Sequence, residues 1–233
     1  VMPHMRKIRT MENGLIVNDL KYQVVVKKAE PLFTVTSYVL AVSGPSGVGK
    51  TTIARSLMTL FSSYAEQVPI ITTREPRKGD TEPYVHVKKE QFDAMVKSRE
   101  IISHTQMPSA SELRQYGYRR SDIEAVWKKG KLPIVITEIH LLKGLVDTLG
   151  RRAVLSCGLL PPGKSKRVML SALLHRLRTR GSHTEEQIKE RLKVAEADLQ
   201  AFDDHAHLFD HMLGNDRLET CVETIRELVV TGN

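Results

Sequence analysis

The sequence predicts an α/β fold, with a largely parallel sheet flanked by helices, on three observations. Gly44-Pro45-Ser46-Gly47-Val48-Gly49-Lys50-Thr51 satisfies G-x-x-x-x-G-K-[ST]. It lies between an apolar run, Tyr38-Val39-Leu40-Ala41-Val42, and a helix-like pattern, Ile53-Ala54-Arg55-Ser56-Leu57-Met58. That strand, loop, helix context is what a phosphate-binding loop requires, and it makes the sheet one of the P-loop NTPase type. From Ser37 onward, strand-like and helix-like segments alternate, as in a parallel sheet with crossover helices. A more polar stretch, residues 70–120, rich in Thr, Arg, Tyr and Gly, interrupts the alternation and reads as an inserted substrate-binding subdomain.

Residues 1–36 read as an N-terminal extension or linker, and the domain proper is expected over 37–230. Within the extension, Tyr22-Gln23-Val24-Val25-Val26 has strand character and ends at Lys27-Lys28 and Pro31. Leu132-Pro133-Ile134-Val135-Ile136-Thr137 is a short buried-strand signature, and Arg152-Ala153-Val154-Leu155-Ser156 is another. Pro161-Pro162-Gly163 marks a turn. Met169 to Arg180 carries helical spacing. Thr184-Glu185-Glu186 opens a helix through Leu199, and Ser182 and Thr184 are both candidate caps ahead of first-turn acids. Leu218 to Val229 reads as a final amphipathic helix.

Composition narrows the function. Hydrophobic content of 41% and charged content of 27% are ordinary for a soluble globular protein. No apolar run approaches a bilayer span, so a cytoplasmic location without a membrane role is expected. Two cysteines, Cys157 and Cys221, fit neither a disulfide framework nor a metal site and point to a reducing compartment. The nine histidines have no H-E-x-x-H or C-x-x-C companion. Against 27 acidic residues stand 35 basic ones, a net charge of +8. No basic stripe is interleaved with aromatics, so this charge reads as arginines gathered around the phosphates of a small nucleotide, not as a nucleic-acid face. Val1 in place of an initiator Met points to an excised or processed segment. The basic Met5-Arg6-Lys7-Ile8-Arg9 reads as a tail, not a transit peptide.

Three clusters carry chemistry. In the loop, backbone N–H groups around Ser46 and the helix N-terminus through Thr52 surround an anionic phosphate. Gly44, Gly47 and Gly49 allow close approach and positive φ. Lys50 reaches the outer phosphates and the Thr51 hydroxyl completes a Mg²⁺ shell, so ATP and Mg²⁺ are the expected cofactors. In Thr72-Thr73-Arg74-Glu75-Pro76-Arg77, two arginines three residues apart can aim planar forks at one phosphate, with Tyr84 and Tyr116 adding phenol donors. In Arg176-Leu177-Arg178-Thr179-Arg180-Gly181, Arg176 and Arg180 share a helix face at i, i+4. With Arg191 they can cover the charge that spreads over a transferring phosphoryl group.

Taken together these segments resemble the guanylate kinase family over about residues 37–230. The resemblance rests on Ser43 to Thr52, Thr72 to Asp80, Tyr116-Gly117, Arg176-Leu177 with Arg180-Gly181, Thr184 to Leu192, and Asn215-Asp216. It implies that 70–120 is a monophosphate-binding subdomain and 170–195 a helical lid. It also implies an ATP-dependent nucleoside-monophosphate kinase acting on GMP or a related monophosphate. Lys50 and Thr51 then hold ATP phosphates and Mg²⁺. Arg74, Arg77, Tyr84 and Tyr116 clamp the acceptor phosphate. Arg176, Arg180 and Arg191 supply lid and transition-state charge, and Asn215 falls where the family contacts adenine.

The guanine-reading positions depart from the family pattern. Ile70 stands where a Ser usually lies four residues before the first clamp arginine. Ser103 replaces the Glu that accepts guanine's N1 and N2 hydrogens, and Tyr118 replaces a Ser or Thr. Glu138 and His140 are the nearest equivalents of an Asp-x-Asp, and Glu138 can still order Mg²⁺ or its waters. Losing two charged acceptors costs about 3–6 kcal/mol, on the order of 10²–10⁴ in guanine selectivity. The alternative is an impaired guanylate-kinase-like scaffold module that binds phosphorylated protein partners through the same arginine and tyrosine clamp.

Overall fold

The computed structural model describes residues 38–76, 83–108, 113–179 and 184–231. The expected strand at Tyr22–Val26 and the N-terminal extension lie outside the described residues.

The strand ahead of the loop forms as β1 (Val39–Ser43), buried along its whole length. Such a strand needs apolar residues on both faces, and its two faces feed two different cores. β2 (Ala65–Gln67), β7 (Leu132–Thr137), β8 (Val154–Leu160) and β9 (His211–Gly214) join it in a five-stranded parallel sheet ordered β2-β7-β1-β8-β9. Leu40, Val42 and Ile134 face α1 (Lys50–Leu60) and α7 (Leu218–Thr231), packing on Ile53, Leu57, Ile225 and Val229. Val39, Ala41 and Val135 face the other way. There they meet α3 (Arg120–Lys128), α4 (Ile139–Leu149) and α6 (Glu185–Asp204) through Ile123, Leu142, Leu145 and Phe202. Alternation within each strand thus places helices on both faces, the P-loop NTPase-type arrangement.

Between residues 70 and 119 a second sheet forms, ordered β4-β3-β6-β5. Its strands are β3 (Ile70–Thr72), β4 (Tyr84–His86), β5 (Ile101–Pro108) and β6 (Leu113–Arg119). α2 (Lys89–Lys97) covers it with Phe92, which is fully buried among Ile71 and Ile101. α5 (Lys166–Thr179) then leads to α6, opened by a reciprocal cap: Thr184 Oγ1 accepts from Gln187 N and Gln187 Oε1 accepts from Thr184 N. Ser182, the other candidate cap, lies outside the described residues.

Several boundaries differ from expectation: α5 starts at Lys166 where Met169 was expected, and α6 runs to Asp204 where Leu199 was expected. The strand expected at Arg152 starts at Val154, because Arg151–Ala153 form a 3₁₀ turn. The Arg151 guanidinium donates to both Asp210 carboxylate oxygens, while Ser156 N donates to Asp210 Oδ2 at 2.8 Å, fastening β9's approach to β8. Burial raises this carboxyl's pKa, but Arg151 and the Ser156 N–H outweigh it and hold the group below the usual Asp range. A lowered folded pKa gives stability that is present above the unfolded value of about 3.9 and lost as pH falls through the folded one. Asp210→Asn is therefore expected to flatten the acid limb of a melting-temperature profile below about pH 4. Acid limbs of equal steepness for the two proteins would contradict this.

Candidate active site

The loop between β1 and α1 holds the geometry its glycines were expected to supply. Gly47 and Gly49 sit at φ +85° and +113°, where a side chain is strained. A Cβ on Gly44 would come within 2.8 Å of Leu159 O, so β8 passes too close for any other residue. Lys50 opens α1, and its Nζ donates back to Gly44 O at 2.6 Å and Pro45 O at 3.1 Å, bracing the loop's first turn. Thr51 is half-buried and Thr52 exposed, one and two residues further along α1.

The sequence-predicted residues from the far end of the chain converge on this loop. Asn215, directly after β9, donates from Nδ2 to Val48 O at 2.7 Å, and its backbone N donates to Leu160 O at 2.8 Å. Arg176 on α5 donates to the same Val48 O at 3.2 Å and to Asn215 O at 2.6 Å. It therefore ties the loop to Asn215. Arg191 on α6 reaches the Ser46 hydroxyl at 3.5 Å. Arg180 lies outside the described residues.

On the second sheet Arg74 is buried, 5% exposed, with its guanidinium 4.7 Å from the centre of the Tyr84 ring. That stacking fixes the plane of the fork. Arg74 N donates to Thr72 Oγ1 at 3.1 Å, and its carbonyl contacts the His86 ring. Tyr116 lies on β6 opposite Thr72 and is partly buried. Of the four residues expected to form the clamp, Tyr84 on β4 and Tyr116 on β6 thus flank β3, and Arg74 follows that strand by two residues. Arg77 lies outside the described residues.

Glu138 directly follows β7, and its two carboxylate oxygens accept from His140 N and Leu141 N at 3.0 and 2.8 Å, capping α4. Ser43 and Thr137, paired at the ends of β1 and β7, carry buried hydroxyls without a hydrogen-bond partner. Buried orphan hydroxyls beside a phosphate loop are suited to hydrogen-bond the waters of an ion bound there. With Glu138 directly after Thr137 and Thr51 in the first turn of α1, these oxygen groups fit Mg²⁺, an oxygen-seeking ion that keeps several waters.

The positions expected to face the base have other partners. Tyr118 is fully buried, and its hydroxyl donates to Ile136 O at 2.7 Å and accepts from Ile136 N at 3.1 Å. Ser103, 2% exposed, donates to Leu141 O at 2.7 Å. A Cβ on Gly144 would meet Ser103 Oγ at 2.6 Å, so α4 lies directly on β5. Tyr118 thus joins the second sheet to β7 of the first, and Ser103 joins it to α4. Sequence reasoning also missed Asp198, whose Oδ2 accepts from Ser46 N at 3.3 Å. Its spacing of seven from Arg191 puts the two on one face of α6, and that was the available signal.

A family model described as guanylate kinase matches residues 36–231. The guanylate kinase of Chlamydia pneumoniae is 29% identical over 191 residues, 81% of this chain and 85% of that protein. Guanylate kinase 1 of Oryza sativa subsp. japonica is 30% identical over 98% of this chain and 62% of its own length. The crystal structure of guanylate kinase from Anaplasma phagocytophilum superposes with a TM-score of 0.62 at 23% identity, covering 84% of this chain and 86% of that one. That likeness concerns the fold.

Proposed function

Because the chain belongs to the guanylate kinase family, we propose that it is an ATP-dependent nucleoside-monophosphate kinase that phosphorylates GMP or a related monophosphate with weakened base selectivity. The observation that carries this reading is the intact phosphate loop, with Lys50 and Thr51 at the start of α1, in one domain with the stacked Arg74–Tyr84 pair. A degenerate relative has no need of both. Among the described residues no helix is long and apolar enough to cross a membrane.

In this reading the protein's part is positioning and electrostatic cover of an in-line transfer. The N–H groups of Gly44 and of residues 46–51, with Lys50 and Thr52, hold the ATP phosphates, and Asn215 lies on the adenine side. Thr51 and Glu138 hold Mg²⁺, which neutralises phosphate charge when bound. Arg74, Arg77, Tyr84 and Tyr116 grip the acceptor phosphate. Arg180 and Arg191, with Arg176, bring positive charge to the transferring oxygens. The acceptor phosphate needs no side-chain base, because the attacking oxygen is already ionised.

One observation favours a second reading. Ser103 and Tyr118 are committed to packing, which suits a module that grips a phosphorylated protein and reads no base. Incubation of Mg-ATP and GMP with high enzyme concentrations separates the two. Formation of GDP supports the kinase, and its absence together with phosphopeptide binding supports the module.

A further inference from the structure

We propose that Asp198 is a built-in occupant of the phosphate loop, a positioning residue that must leave before a triphosphate can seat. This rests on reading the loop as the ATP-phosphate site, and it adds an internal competitor for that site.

The geometry is specific. Ser46 lies inside the loop, and its backbone N–H points to Asp198 Oδ2 on α6 at 3.3 Å. Two turns earlier on the same helix, Arg191 reaches the Ser46 hydroxyl, so α6 touches one loop residue through both an acid and a base. The helix is anchored on either side of Asp198 by buried Ala195, Leu199 and Phe202. Burial holds the Asp198 carboxyl above the usual Asp range, against the downward pull of Lys50 and the Ser46 N–H. The acid thus stands in the field of the groups assigned to the phosphates.

A carboxylate and a phosphate oxygen are both acceptors only, so one N–H cannot serve both. Phosphate-binding nests also favour anions of any kind. With the loop empty, Asp198 satisfies the Ser46 N–H and holds α6 against the loop. An arriving phosphate takes that N–H, repels the carboxylate and releases this part of the helix. Asp198 thereby lowers nucleotide affinity and couples loop occupancy to the position of α6.

Isothermal titration of inorganic tripolyphosphate and of Mg-ATP tests this on the full chain. Asp198→Ala and Asp198→Asn are expected to bind both about tenfold more tightly than the parent, since each removes a charged acceptor and a repulsive anion. Glu196→Gln makes the same charge change at an exposed position of α6 and is expected to leave affinity unchanged. A merely structural contact would instead lower the unliganded melting temperature and leave the dissociation constants alone. Equal or weaker binding by both Asp198 variants, with the parent binding normally, overturns the proposal while the ATP-loop reading stands. Failure of parent and variants alike to bind either ligand overturns both. Should Asp198→Ala not fold, the near-isosteric Asp198→Asn carries the test.

Discussion

Lys50→Ala is expected to lower kcat/KM for phosphoryl transfer by at least about 10²–10³-fold, the effect of deleting one preorganised cation from a site that works by electrostatic cover. The ammonium lies against Gly44 O and Pro45 O, so it is held within the loop and does not have to be ordered at the moment of reaction. Alanine removes both the charge and the brace. The fold should survive, because Lys50 is half-buried at a helix start and the core beneath it is built by Ile53, Ala54 and Leu57. Diphosphate formation measured alongside a melting curve separates the two effects. Activity within tenfold of the parent, at an unchanged melting temperature, would remove Lys50 from the reaction. The same substitution should leave phosphopeptide affinity unaltered if the protein is a scaffold module, whereas Arg74→Ala weakens acceptor binding under either reading.

Tyr118→Phe is expected to destabilise the domain by about 2–5 kcal/mol without changing its core volume. β2 stops at Gln67, opposite Ile134, and Val68 N takes the Ile134 carbonyl. Ile136, two residues on, projects its N–H and C=O to that same side, where no strand continues. The Tyr118 hydroxyl substitutes for the missing strand by donating to one group and accepting from the other. Phenylalanine leaves both backbone groups buried without partners. For a domain of this size the expected fall in melting temperature is about 5–15 °C. A fall under about 2 °C would mean that water or a shifted strand replaces the hydroxyl. Because β6 carries Tyr116 and β7 leads to Glu138, this contact also sets how far the acceptor clamp stands from the phosphate loop.

The phosphate loop was legible because its requirements are local. Gly47 and Gly49 adopt the left-handed conformations that their residue type permits, and the flanking apolar runs become β1 and α1. The expected strand at 132–137 and the final helix from Leu218 are likewise written in consecutive residues. Arg176 was less legible: a cation at helical spacing reads as a charge for phosphate, whereas its position against Val48 O and Asn215 O depends on where β9 ends. Tyr118 and Asp198 were the least legible. A tyrosine on a strand reads as a core residue, and an acid on a polar helix face reads as solvated. Their partners, Ile136 and Ser46, are 18 and 152 residues away in the chain. Glu138 shows the same limit, since an acid after a strand predicts a metal ligand and a helix cap equally well until α4 begins at Ile139.

On the proposed reading, the packing of Ser103 and Tyr118 has a consequence for selectivity. A hydroxyl already bonded inside the core offers little to the edge of a guanine, and the Tyr118 hydroxyl has both its donor and an acceptor site in use. The proposed phosphate clamp is separate from it, resting on Arg74 stacked over Tyr84. Acceptor affinity is thus expected to come from the phosphate, with the base contributing shape and stacking.

The most direct test of this account is nucleoside-diphosphate formation from Mg-ATP with GMP, dGMP, AMP, CMP and UMP as acceptors, compared as kcat/KM. Measurable turnover with GMP is expected, with a preference over the other bases that falls short of a fully read guanine by about 10²–10⁴. Turnover with none of the five, at an enzyme concentration comparable to substrate, would contradict the kinase. Turnover of guanine monophosphates alone would contradict the loss of base reading at Ser103 and Tyr118.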